Sequence, residues 1–124
     1  MTKPLALVFY EELLPGSQLV NRLQDLGYRV QTILQLSELA GAAEKEKPMV
    51  LLMDLKTASG DVGAAIRQIR TSAQTSHLPI LAFTGKRNRK LQESATEAGA
   101  SLVAFDDAIL KQLPQLLEQV LQVD

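Results

Sequence analysis

Several acidic side chains of this 124-residue chain stand where an apolar run of strand length ends. Glu11 and Glu12 follow Leu5 to Tyr10, Asp54 follows Met49 to Met53, and Asp106 with Asp107 follows Ser101 to Phe105. A further run, Ile80 to Phe83, ends on the hydroxyl of Thr84, and Lys86, Arg87, Arg89 and Lys90 come soon after it. Unbroken apolar runs of this length read as strands buried on both faces, and in an open parallel sheet ligands bind at the carboxyl ends of such strands. A carboxylate delivered there can take part in binding or in group transfer. It can also simply cap the turn that follows. The segment Lys56 to Asp61 is turn-prone, so both roles stay open for Asp54.

The basic residues have two readings as well. Lys86, Arg87, Arg89 and Lys90 lie on the same edge as Asp54 and could pair with Asp54 or Asp106, or attract an anionic group on a partner. A solvated helix start is the plainer alternative. Cations at a helix N-terminus oppose the macrodipole, however, which points to a use beyond helix stability. Other chemistries lack their residues. Asp54-Leu55-Lys56 carries lysine where a haloacid-dehalogenase-like phosphatase needs a second aspartate. No segment reads G-x-x-x-x-G-K-[ST], and Gly60 and Gly63 without a third glycine are loop and cap residues. The single histidine, His77, falls in a connector at the amino-terminal side of the sheet, so no Ser/His/Asp set converges.

Helices must alternate with the strands to bring these residues to one edge. Pro15-Gly16-Ser17 opens the first helix, with Ser17 as its cap and Leu19, Leu23 and Leu26 as its apolar stripe, and Gly27 closes it. The second strand, about Tyr28 to Leu34, alternates in part, as a strand near a sheet edge does. Ser37 caps a second helix with Leu36, Leu39, Ala40 and Ala43 inward, and Pro48 prevents continuation beyond its solvated end, Glu44 to Lys47. Asp61 caps a third helix with Ala65, Ile66, Ile69 and Ala73 inside. A fourth, about Leu91 to Ala98, is stopped by Gly99. The last carries Leu110, Leu113, Leu117, Val120 and Leu121, and its main part either starts near Pro114 or kinks there. Five β/α repeats predict a doubly wound α/β domain with a five-stranded parallel sheet of order 2-1-3-4-5. In that order Asp54 faces the segment from Phe9 to Glu12, with Thr84 and Asp106 nearby.

Composition bounds the function classes. With 46% hydrophobic residues the chain fits one domain over residues 1–124, able to bury roughly two thirds of its unfolded surface. The absence of cysteine removes disulfides and thiolate chemistry and suits the cytoplasm, and a lone histidine argues against zinc. The first apolar run is too short for a signal peptide, and no stretch approaches the roughly 20 apolar residues of a membrane span. Lys+Arg 13 against Asp+Glu 14 gives a net charge of -1, which argues against DNA or an anionic membrane as a whole-surface partner. The four clustered cations lack the interleaved aromatics of a nucleic-acid groove.

Taken together, the chain resembles the receiver domain of two-component response regulators over nearly its whole length. The resemblance is carried by the fivefold alternation, by Met49-Val50-Leu51-Leu52-Met53-Asp54-Leu55 on the third strand, by Leu78-Pro79-Ile80-Leu81-Ala82-Phe83-Thr84-Gly85 on the fourth, and by Ala98-Gly99-Ala100 before the fifth. It implies a flavodoxin-like, receiver-like fold in which Asp54 holds the phosphoacceptor position. Thr84, 30 residues later, matches the hydroxyl that hydrogen-bonds the phosphoryl group and relays its presence. The same resemblance exposes three departures. Receivers hold Mg²⁺ with an acidic pair at the end of the first strand, because that hard cation demands carboxylates and water. The family's spacing from Asp54 puts the pair at Phe9 and Tyr10, spacing from Gly27 puts it at Tyr10 and Glu11, and only a further gap recruits Glu11 and Glu12. The family's lysine at the end of the fifth strand falls at Asp106, an anion that repels an incoming phosphoryl group. The Met-Pro pair after the acceptor is replaced around Thr57-Ala58-Ser59.

Resemblance and departures together imply a pseudo-receiver: a non-enzymatic signalling or adaptor module of the cytoplasm, needing no cofactor and acting through protein contacts. A histidine kinase or another signalling protein is the expected partner. Such domains dimerise and dock through helix four, strand five and helix five, here Leu91 to Ala98, Val103 and Leu110 to Leu121. The first alternative is a phosphorylatable receiver in a phosphorelay, with Asp54, Glu11 and Glu12 as a remodelled Mg²⁺ site and the basic loop standing in for the lysine. The second is a binder of a small anionic ligand, using Lys86, Arg87, Arg89, Lys90 and helix N-terminal amides.

Overall fold

Three of the apolar runs, β1 (Leu5–Phe9), β3 (Val50–Asp54) and β4 (Ile80–Thr84), are buried at every residue, as central strands covered on both faces must be. The structure, a computed structural model, describes residues 3–11, 13–56, 61–85 and 88–121. Two edge strands, β2 (Arg29–Ile33) and β5 (Leu102–Phe105), complete a five-stranded parallel sheet of order β2-β1-β3-β4-β5. This is the expected order, and the partial alternation of β2 belongs to an edge.

Successive side chains of a strand point to opposite faces, so the sheet divides its apolar residues into two cores. Leu7, Phe9, Leu51, Met53, Ile80 and Ala82 face α2 (Leu39–Glu46), α3 (Val62–Thr71) and α4 (Arg89–Ala98). Ala6, Val8, Val50, Leu52, Leu81 and Phe83 face α1 (Leu13–Asp25), α5 (Asp106–Lys111) and α6 (Leu113–Leu121). Burying a side chain the size of Phe83 or Leu52 contributes about 1.5–3 kcal/mol, so the register of every central strand is fixed by both faces at once.

Helix boundaries differ from the sequence expectation in ways that have physical causes. Helix α1 starts at Leu13, which puts Pro15 inside the first turn, where no intrahelical amide bond is lost, and leaves Ser17 within the helix instead of at its cap. Leu19 and Leu23 are fully buried, but the helix ends at Asp25 and Leu26 is 39% exposed. A single 3-10 turn, Leu36–Glu38, precedes α2, so Ser37 caps nothing; Leu36, Leu39, Ala40 and Ala43 are buried as expected. Asp61 caps α3, its Oδ1 accepting from Ala64 N at 3.2 Å. The helix closes at Thr71, before Ala73, which is exposed. The last helical stretch is two helices, the second starting at Leu113 with Pro114 in its first turn. His77 lies exposed in the connector before β4.

Candidate functional site

Parallel pairing aligns the carboxyl ends of β1, β3, β4 and β5. Phe9 pairs with Met53, so one step further along Tyr10 stands level with Asp54. Asp54 in turn pairs with Phe83, Thr84 with Phe105, and Asp106 follows as the first residue of α5. The sheet thus carries Tyr10, Asp54, Thr84 and Asp106 to one edge.

Asp54 is 2% exposed, and its Oδ1 accepts a 2.9 Å hydrogen bond from Lys56 N. That is an Asx-type turn, so the capping role left open by the sequence is filled by the same carboxylate that occupies the site. Thr84 is fully buried and follows Ile80 and Ala82 on the pleat, on the face covered by α4. Its Oγ1 accepts from Asn88 Nδ2 at 3.2 Å. Gln92 Nε2, one turn further along α4, donates to Gly85 O at 3.3 Å. Asp106 is half-buried, and its Oδ2 and Asn88 Nδ2 each lie 3.8 Å from where a Cβ on Gly85 would stand. Asp106 and Asn88 therefore flank the Gly85 turn.

The end of β1 is apolar and aromatic. Phe9 is fully buried in the core beneath α2 and α3. The ring of Tyr10 lies against Gly16 of α1, filling the volume that a Cβ there would occupy, and packs on the α1 side of the sheet. Glu11 is exposed beyond it, while Glu12 lies outside the described residues. Mg²⁺ is usually held by one or two carboxylates and keeps several of its waters. Among the described residues no three Asp, Glu or His side chains gather to hold a metal ion.

Arg89 and Lys90 form the exposed first turn of α4, two residues earlier than the helix start expected at Leu91. Arg89 lines a groove between α4 and β5 with Gln92, Glu93, Thr96 and Val103. Lys86 and Arg87 lie outside the described residues. Asn88 and Gln92 were not among the residues singled out by sequence. The available signal was an asparagine four residues after Thr84 and immediately before a helix, the position of an N-cap.

No protein-family model and no curated protein matches the sequence. Solved structures do match. A chain from Chloroflexus aurantiacus regarded as a response regulator superposes with a TM-score of 0.88 at 21% identity, over 97% of this chain and 98% of its own. The chain has the receiver-domain fold. The receiver domain of a sensor histidine kinase from Pseudomonas aeruginosa, solved with magnesium in its active-site cleft, matches with a TM-score of 0.85 at 22% identity, over 96% and 98%. The receiver domain of NtrX from Brucella abortus matches at 0.83 and 21%, over 96% and 99%.

On this receiver fold the face formed by α4 and β5 is contiguous. The segment Leu110 to Leu121 contributes less to it than expected. Leu113, Leu116, Leu117 and Val120 are buried in the core on the α1 side of the sheet, because α6 is the helix that closes that layer. Among the described residues no helix is long and apolar enough to cross a membrane.

Proposed function

We propose that the chain is a pseudo-receiver, a signalling or adaptor module that acts by docking onto protein partners and does not use Mg²⁺-assisted phosphotransfer. The observation that carries this reading is Tyr10, level with Asp54 and seated on Gly16. A phenol ring held by packing replaces the carboxylate that a cation beside Asp54 would need. Asp106 adds to it. An anion directed at the Gly85 turn disfavours a second anion arriving at Asp54, where a lysine would favour it. Histidine kinases and other two-component signalling proteins are the partner class that the fold suggests, and the α4–β5 face, lined by Arg89, Glu93 and Glu97, is the surface we assign to partner or homodimer contacts.

One observation favours the phosphorylatable alternative: Asp54 and Thr84 end neighbouring strands at the same edge, and the exposed Glu11 follows the end of β1, the strand on the other side of β3. Thermal unfolding with beryllofluoride and Mg²⁺ separates the two. The pseudo-receiver reading expects the same midpoint with and without these ions. A rise that Asp54→Asn abolishes would establish the alternative, with Glu11 and Glu12 as the next residues to replace. A rise with inorganic phosphate or sulfate alone, lost on replacing Arg89 and Lys90, would instead point to a small-anion site.

A further inference from the structure

Asparagine directly before a helix ordinarily caps it, its side-chain oxygen accepting from the amides of the second or third helical residue. Asn88 precedes α4 and makes no such bond. Its amide reaches back instead and donates to the buried Oγ1 of Thr84 at 3.2 Å. The first turn of α4, with the amides of Lys90 and Leu91, is left without that cap, and Arg89 and Lys90 place two cations at the positive end of the helix. This end of α4 is therefore under-stabilised by its own local chemistry, and the side chain that could remedy it is held by Thr84.

We infer that Asn88 is a two-position latch that couples the Thr84 hydroxyl to the start of α4. In one position Asn88 donates to Thr84 and the first turn of α4 is uncapped. In the other Thr84 is released and Asn88 Oδ1 caps Lys90 or Leu91. Asp54 follows Val50 and Leu52 on the α1 side of the sheet, whereas Thr84 follows Ile80 and Ala82 on the α4 side. A group at Asp54 that turns the Thr84 side chain toward its own face of the sheet carries Oγ1 away from Asn88; donation of the hydroxyl proton alone leaves the Asn88 bond in place. The edge of the sheet then reports to α4, and through Arg89 to the α4–β5 groove. Gln92, bound to Gly85 O, fixes the second turn of α4 in both positions, which confines the change to the first.

That signalling consequence belongs to the phosphorylatable alternative described above and not to the pseudo-receiver reading; the latch itself rests on neither. It is tested on the full chain without partner, cation or phosphodonor, so its failure and the failure of the proposed function are separate results. The readout is amide solvent exchange by NMR at Lys90 and Leu91 in wild type, Thr84→Val, Asn88→Ala and the double variant. Removing the acceptor with Thr84→Val is expected to slow exchange at one of these amides about fivefold, the factor that gaining an N-cap supplies. Asn88→Ala alone is expected to change it less than about twofold, and adding Asn88→Ala to Thr84→Val to abolish the gain. Thr84→Ala should behave as Thr84→Val, and Thr84→Ser, which keeps the hydroxyl, as wild type. Equal exchange in wild type and both acceptor-less variants, or a gain that survives Asn88→Ala, would overturn the latch.

Discussion

The ring of Tyr10 occupies the volume that a side chain on Gly16 would need, and this pairing closes the end of β1 against the first turns of α1. Glycine in a helix is unfavourable by about 1 kcal/mol relative to alanine, so its presence here is explained by the ring and not by the helix. Gly16→Ala is expected to lower stability by about 1–2 kcal/mol, because displacing the fixed part of an aromatic ring outweighs the gain in propensity. In a Tyr10→Ala background the same change should become neutral or stabilising. Urea unfolding of the four proteins measures this coupling, and equal effects in both backgrounds would show that the ring does not require the glycine.

Arg70 is the principal staple at the opposite edge. Its Nε donates to Gly99 O at 2.9 Å, its Nη1 to Leu78 O at 2.6 Å and Ser76 O at 3.1 Å, and its Nη2 to Ser101 Oγ at 3.3 Å. Ser101 Oγ accepts in turn from Ile80 N at 3.1 Å. One guanidinium thus ties α3 to the connector before β4 and to the turn before β5. Burial lowers the pKa of Arg70 by disfavouring its charge, and the carbonyls compensate for that desolvation. Arg70→Ala is expected to lower stability by about 2–3 kcal/mol, and Arg70→Lys to recover little, since a point charge cannot span the same acceptors. A loss below about 0.5 kcal/mol in urea unfolding would contradict this role.

Alkaline pH should expose Tyr28. Burial raises its phenol pKa above the ordinary 10.0, so the folded state holds the proton more firmly than the unfolded chain. The associated stability is whole below the unfolded value and is lost as pH rises through the folded one. Unfolding midpoints from pH 8 to pH 11 should therefore fall less steeply at the upper end for Tyr28→Phe than for wild type. Parallel profiles would remove Tyr28 from the alkaline transition.

The sheet was legible in the sequence because burial on both faces leaves a composition signal that needs no partner to interpret. Leu5–Phe9, Val50–Asp54 and Ile80–Thr84 each read as one apolar run, and the Asp61 cap of α3 could be read from local chemistry. Helix starts were less legible. Pro15 fits any position of a first turn, so it could not fix where α1 begins, and Ser37 was a plausible cap until a 3-10 turn formed around it. At the site, Asp54, Thr84 and Asp106 were found from strand ends. Tyr10 was identified as an obstacle but not as a packed ring, because its partner is a glycine with no side chain to signal the contact. Asn88 and Arg70 were missed since both act on groups that only the tertiary fold brings near: a hydroxyl in one case, backbone carbonyls in the other.

The central claim is that Asp54 occupies an acceptor position without the means to accept. The most direct measurement is the intact mass of the protein after incubation with acetyl phosphate, with and without Mg²⁺, for wild type and Asp54→Asn. The expected result is an unchanged mass in every sample. A phosphoryl adduct that requires both Mg²⁺ and Asp54 would contradict it.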